Sequence, residues 1–135
     1  RIISISHACD LICVDFENNY AIHSQTLIRF VKGNRILFTR SDYFARENDD
    51  ANSRSNYDIN SKKYIDIFIG NRILEIKVNE IGDCNIKLEN NVRIEIYINV
   101  GKENFYDYNE QYRIFKYDSE DKHFVVCDNK KIERH

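Results

Sequence analysis

Residues 72–98 carry three apolar–polar alternations in succession, and that rhythm leaves the chain few architectures. Leu74, Ile76 and Val78 alternate with Glu75 and Lys77. Cys84, Ile86 and Leu88 alternate with Asn85, Lys87 and Glu89, and Val92, Ile94, Ile96 and Ile98 alternate with Arg93, Glu95, Tyr97 and Asn99. Successive side chains of a strand point to opposite faces, so each run has one face to bury and one to solvate. Ile81, Gly82 and Asp83 separate the first two runs, and Glu89, Asn90 and Asn91 the last two; both triplets are good turn material. The segment predicts a three-stranded antiparallel meander with one apolar and one charged face.

The N-terminal third repeats the theme. Residues 2–6, 11–16 and 20–25 read as strands, with Glu17, Asn18 and Asn19 as a tight turn. Residues 27–31 and 35–39 flank Lys32, Gly33 and Asn34 as a further hairpin, and 111–117 pairs with 123–127 across 118–122. Residues 101–110 are polar and aromatic and read as loop. The polar stretch 46–60 breaks the strand rhythm, and 52–56 reads as a mobile loop. Beyond it, Asn60 or Ser61 can cap a helix, Gly70 can end it, and Ile65, Phe68 and Ile69 share a face. A helix over 60–70 is expected, although its β-branched residues suit a strand as well. The fold class that follows is α+β: a predominantly antiparallel sheet of hairpins and a meander, with one helix covering its apolar face. The 135 residues suit a single globular domain over 1–135, with no internal repeat and no linker.

Charge narrows the partners. The formal net charge is −2, with both signs interspersed. Nucleic-acid binding usually needs a stripe of Lys and Arg to neutralise phosphates, and none is evident, so no nucleic-acid partner is expected. The densest charge cluster is acidic: Glu47, Asp49 and Asp50 around Asn48. No apolar run approaches the length that spans a bilayer and the N-terminus lacks a signal-peptide pattern, so neither a membrane nor export is expected. The four cysteines are Cys9, Cys13, Cys84 and Cys127. A zinc site wants closely spaced pairs, and only Cys9 and Cys13 are close. Each cysteine lies on or beside an apolar run, which predicts free, buried thiols in a reducing cytoplasm. His7, Cys9 and Cys13 could ligate a metal, but Cys13 lies across a break at Asp10; no metal or cofactor is expected.

Catalytic frames are missing from the pattern. A nucleophile needs a base in reach and a third group to orient it. Neither a GxSxG elbow nor any other such frame surrounds the four histidines, and the four glycines form no P-loop and no GxGxxG. Asp10, Asp15 and Glu17 resemble ordinary strand and turn acids. The reading leans against an enzyme. Within residues 20–30, alternation puts Ala21, His23, Gln25 and Leu27 on one face, with Tyr20, Ile22, Ser24 and Thr26 on the other. Arg29 extends the polar line. The expectation is that this face is covered, so that His23, Gln25 and Arg29 form a structural seam and His23 is closed off from solvent. If it opens, His23, Gln25 and Arg29, with Asp42, are an alternative polar site for a small ligand or a hydrolytic reaction.

The order of short motifs adds a lead. Leu11-Ile12 with Phe16, then Tyr20-Ala21-Ile22-His23-Ser24-Gln25, then Arg29, then Ile36-Leu37 with Ser41-Asp42-Tyr43 run through the first third. Tyr112-Arg113-Ile114-Phe115 and His123-Phe124-Val125-Val126 close the chain. This order resembles an uncharacterised bacterial family with ALHxQ-like, GSxD-like and C-terminal WRLF- and HFVV-like strand motifs, sometimes associated with toxin–immunity loci. The chain departs from that pattern at Thr26-Leu27-Ile28, where the family often has a cysteine and an aromatic, and at Thr39-Arg40, where it has a glycine. The resemblance implies a small cytoplasmic protein-binding module, an immunity or antitoxin protein neutralising a toxin by direct binding. Such proteins work by surface complementarity and need no catalytic residues. The candidate contact residues are Glu47, Asp49 and Asp50, whose charge would suit a basic toxin, and Phe105, Tyr106, Asp107 and Tyr108. A structural homodimer, favoured by an exposed edge strand in the meander, is a further alternative.

Overall fold

The structure, a computed structural model, describes residues 1–46, 53–98, 110–118, 123–127 and 132–134. Strands, numbered in chain order, make two antiparallel sheets. One has the order β1 (Ile2–Ala8), β2 (Leu11–Phe16), β3 (Tyr20–Ser24), β9 (Glu110–Lys116), β10 (His123–Cys127) and β11 (Ile132–Arg134). The other has the order β5 (Arg35–Thr39), β4 (Leu27–Lys32), β8 (Val92–Tyr97), β7 (Cys84–Leu88) and β6 (Ile73–Val78). The expected meander is β6, β7 and β8, and the expected hairpins β4–β5 and β9–β10 form as well. With a single helix, α1 (Asn56–Phe68), among the described residues, the fold is α+β and mainly antiparallel.

Both sheets feed one core. The six-stranded sheet contributes Ile12, Val14, Ile22, Tyr112 and Val126; the five-stranded sheet contributes Ile28, Phe30, Phe38, Ile86, Ile94 and Ile96. The Tyr112 hydroxyl donates to the Gly82 carbonyl at 2.7 Å, tying β9 to the β6–β7 turn. Gly82 is required there twice over: its φ is +101°, and a Cβ would stand 2.9 Å from Val126. The chain crosses between the sheets at Gln25 and Thr26, the stretch where two polar residues interrupt the strand pattern. There the buried Ser24 hydroxyl donates to the Thr26 carbonyl at 3.0 Å, and Thr26 Oγ1 donates to the Tyr97 carbonyl at 2.7 Å. These bonds satisfy groups that would otherwise cost about 1–3 kcal/mol each when buried unpaired.

Helix α1 closes the side of the core between β1 and β5. Phe68 lies edge-on to Phe30 and Phe38, at 5.4 and 5.7 Å between ring centres, and Tyr57 is edge-on to Phe38. Beyond the helix, Ile2 and the 70–71 backbone exchange bonds of 2.8 and 3.0 Å, while the Asn71 side chain bridges Ile67 and Glu89.

Several expectations need correction. The helix starts at Asn56, not near Asn60, because Ser55 is the cap: its hydroxyl accepts from Asp58 N–H at 3.1 Å. Residues 53–56 are therefore not loop throughout, and the cap is neither Asn60 nor Ser61. Ile69 lies past the helix end and is exposed; the inward face is Tyr57, Tyr64, Ile67 and Phe68. Leu74 and Ile76 were expected to be buried but are 57% and 45% exposed, because β6 is an edge strand and a register shift between Ile73 and Glu75 takes Leu74 out of the ladder. Cys84 and Cys127 are buried outside any disulfide, whereas Cys13 is half-buried and Cys9 is exposed in the β1–β2 turn.

Candidate functional site

Strands β2, β3, β9 and β10 of the six-stranded sheet turn one side away from the core, and the register decides what gathers there. Cys13 stands opposite His23, and Asp15 opposite Ala21. Across the next pair, Ala21 faces Phe115 and His23 faces Arg113; beyond that, His123 faces Phe115 and Val125 faces Arg113. Alternation does the sorting, since Ile22 and Ser24 of β3 and Tyr112 of β9 point inward and leave His23, Arg113 and Phe115 outward.

The result is an interlocked layer of rings. His23 is edge-on to Phe115 at 4.8 Å, Tyr117 is edge-on to Phe115 at 4.9 Å, and His123 stacks on Phe115 at 5.3 Å. Ala21 and Val125 are fully buried and Phe115 nearly so, which gives the face an apolar floor. The polar tips rise from that floor. Tyr117 is 57% exposed, and His23, Arg113 and His123 are each half-buried.

Hydrogen bonds fix the tips. The Tyr117 hydroxyl donates to Asp15 Oδ1 at 3.0 Å, and Ser4 Oγ donates to the other Asp15 oxygen at 2.7 Å. Because that phenolic proton is committed to Asp15, the 3.4 Å approach of His23 Nε2 leaves the imidazole to donate and Tyr117 to accept. Arg113 grips Glu110 Oε1 through Nε and Nη2 at 3.0 and 2.7 Å, and its Nη1 donates to His123 Nδ1 at 2.8 Å.

The electrostatics follow from burial and neighbours. Partial burial pushes the His23 imidazole below its ordinary value; Asp15 and Glu110 pull it back, and Arg113 adds to the depression. Burial raises the Cys13 thiol and the Asp15 charge raises it further, against a hydrogen bond with Ser6. Tyr117 is pushed up to about 12 by burial and by its bond to the Asp15 carboxylate. A nucleophile is activated when its thiolate is favoured, and here the thiol is held protonated beside its histidine.

His23 is thus neither sealed nor part of a seam through the core, contrary to the expectation: its strand buries the opposite face, Ile22 and Ser24. Gln25 is exposed at the crossing between the sheets, where its N–H donates to the Gln111 carbonyl at 2.8 Å. Arg29 belongs to the outer face of the five-stranded sheet. There its Nη2 donates to Glu95 Oε2 at 2.8 Å and to the Tyr97 hydroxyl at 3.0 Å. Arg93 Nε donates to the other Glu95 oxygen at 2.7 Å, and the Tyr97 hydroxyl completes the cage. Glu95, expected on a solvated face, is only 4% exposed. Burial alone would raise its carboxyl, but the bonds from Arg29, Tyr97 and Arg93 outweigh that and hold it below its ordinary value. Asp42 caps a 3-10 turn over Arg40–Phe44 by accepting from Thr39 N–H at 2.8 Å. The structure therefore distributes His23, Gln25, Arg29 and Asp42 over separate places. Glu47, Asp49, Asp50, Phe105, Tyr106, Asp107 and Tyr108 lie outside the described residues.

The other singled-out groups are engaged apart from one another. Asp10 pairs with Arg40 at 2.7 Å, and the Glu17 N–H donates to the Arg1 carbonyl at 2.9 Å. The His7 ring nitrogens face Asp58 Oδ1 and the Cys9 carbonyl, both at 2.7 Å. Among the described residues no three His, Cys, Asp or Glu side chains come together so as to hold a metal ion, and no helix is long and apolar enough to cross a membrane. Sequence reasoning missed Asp15, Arg113, Phe115, Tyr117 and His123 as companions of His23. The signal within reach was β9, whose alternation sets Arg113, Phe115 and Tyr117 on one face against Tyr112 and Ile114 on the other. No family model, curated protein or solved structure matches the chain.

Proposed function

We propose that this chain is a non-enzymatic protein-binding module that docks its partner on the outer face of the six-stranded sheet, in the manner of an immunity or antitoxin protein. The observation that carries this reading is the ring layer of His23, Phe115, Tyr117 and His123, with Arg113 beside it. Aromatic residues and arginine are enriched at interface hot spots, where rigid side chains lose little entropy on binding. The toxin-directed part of the reading rests on the resemblance, and the acidic cluster of Glu47, Asp49 and Asp50 supports a basic partner. The small-ligand or hydrolase reading has less support, because His23 and Arg29 engage partners on different sheets and the thiol beside His23 is raised.

Co-expression with toxins encoded beside the gene tests it. Growth rescue and co-purification are expected for the parent, and Arg113→Ala with Tyr117→Ala should abolish both while circular dichroism stays unchanged. No rescue and no captured partner, or rescue untouched by those substitutions, would count against the reading.

A further inference from the structure

Among the described residues, β6 ends the five-stranded sheet and β11 the six-stranded one, each paired on one side only. The β1 edge is covered by bonds between Ile2 and the 70–71 backbone and by Tyr57, and β5 lies against α1. Strand β6 pairs with β7 alone, and Leu74 and Ile76 are 57% and 45% exposed along it. An exposed strand edge is a template for another strand, and proteins normally blunt it. The register shift between Ile73 and Glu75 disturbs only the start of β6; from Glu75 to Val78 the ladder is regular, no proline interrupts it, and its two charges differ in sign, Glu75 Oε1 lying 2.9 Å from Lys77 Nζ.

The pattern Glu75-Ile76-Lys77 is self-complementary when read against itself in the antiparallel sense. With a two-fold axis at Ile76, Glu75 faces Lys77 of a second copy and Lys77 faces its Glu75. Ile76 meets itself, and Leu74, displaced from the ladder by the register shift, stands outside the pairing. Shifting the axis to Glu75 or Lys77 sets like charges directly opposite, which destabilises a strand pair. Shifting by a single residue in the pairing exchanges the apolar and charged faces. One register satisfies both patterns. We infer that two copies of this chain pair β6 to β6 in that register, joining their five-stranded sheets edge to edge. Such an isologous contact closes on itself and gives a dimer rather than a fibre. The Glu75–Lys77 pair within one strand is solvent-exposed, so exchanging it for two pairs across the axis gives up little. This inference does not depend on the proposed docking face, which lies on the other sheet.

Light scattering on the eluting protein reads the outcome against a chain mass of 16.2 kDa. The parent is expected at twice that mass. Glu75→Lys alone and Lys77→Glu alone should each return it to the monomer, since each sets like charges across the axis. The double substitution Glu75→Lys with Lys77→Glu restores opposite pairs and should restore the dimer. All of these positions are exposed, and circular dichroism confirms that each variant folds. A monomeric parent at its highest soluble concentration, a larger open assembly, or a dimer indifferent to the single substitutions would overturn the inference. A double variant that stays monomeric would overturn the register on which it rests.

Discussion

The two sheets show opposite ways of finishing a solvent-facing side. On the five-stranded sheet, Arg29, Arg93 and Tyr97 surround a carboxylate only 4% exposed, and both Glu95 oxygens are taken. On the six-stranded sheet, Phe115 is packed among His23, Tyr117 and His123, and the polar groups are at the rim. The first face spends its polar groups on one another. The second packs its rings and keeps its polar tips, paired at the rim, on the solvent-facing side. A charge lattice that is internally satisfied stabilises a fold and offers little to a ligand, whereas preformed rings with accessible tips lower the ordering cost of binding.

The largest expected effect attacks the lattice. Glu95→Ala removes the acceptor that neutralises two guanidinium groups, and hydrogen bonds to charged groups are worth roughly 1.5–3 kcal/mol. Because Arg29 and Arg93 are about one-third exposed, water can reach them, and a loss of about 2–3 kcal/mol in denaturant unfolding is expected, at the low end for a broken buried pair. A double variant, Glu95→Ala with Arg29→Ala, should lose less than the two single losses added together, since the substitutions act on one network. A change within ~0.5 kcal/mol for Glu95→Ala, the range of ordinary surface substitutions, would break the comparison.

The ring layer gives the next effect. Phe115→Ala should cost about 2 kcal/mol, less than the ~3–5 kcal/mol of a phenylalanine in the core, because the rings that cover Phe115 are themselves partly exposed and can close over the gap. Phe68→Ala, at the junction of Phe30 and Phe38, supplies the core value for calibration. Equal losses at the two positions would make the outer face a second core and remove the distinction from the lattice.

Much of this was legible in the residues. The meander over 72–98, the hairpins and the antiparallel character follow from local alternation, which needs no knowledge of neighbours. Alternation does not encode which strand ends at an edge, so the exposure of Leu74 and Ile76 was hidden. The Ser55 cap was hidden because three asparagines and two further serines nearby offer equal local signals. The candidate face was illegible for a related reason. His23 and Arg113 are far apart in sequence, and they become neighbours only when β3 pairs with β9. Carrying the alternation of 20–25 on into 27–31 joined His23 to Arg29, whereas the crossing at Gln25 and Thr26 sends them to different sheets.

Acid separates the faces by pH window. The folded His23 imidazole lies below its ordinary value of 6.5, so the unfolded chain binds a proton first as pH falls. Stability from that group is present above about pH 6.5 and is lost as pH falls from there through the folded value. Asp15, Glu110 and Arg113, which face it, set how far the value falls. Glu95 is depressed from 4.5, so its contribution is present above that pH and is lost only in a lower window. His23→Gln should flatten the stability profile in the upper window and leave the lower one; Glu95→Gln should do the reverse. Profiles that change in the same window for both variants would mean that the faces are coupled.

Tyr117→Phe carries the smallest stability effect and the sharpest discrimination. It removes one hydroxyl, the donor to Asp15 and neighbour of His23, and keeps the ring against Phe115. An exposed bond of this kind is worth about 0.5 kcal/mol, at the low end of the range, because water replaces the lost donor. If this face exists to bind, Tyr117→Phe weakens partner capture while thermal unfolding barely moves. If it is merely a second packing layer, capture and stability change together or not at all. Tyr97→Phe, the matching deletion on the other sheet, takes a donor from a nearly buried carboxylate and should therefore cost stability and leave capture intact.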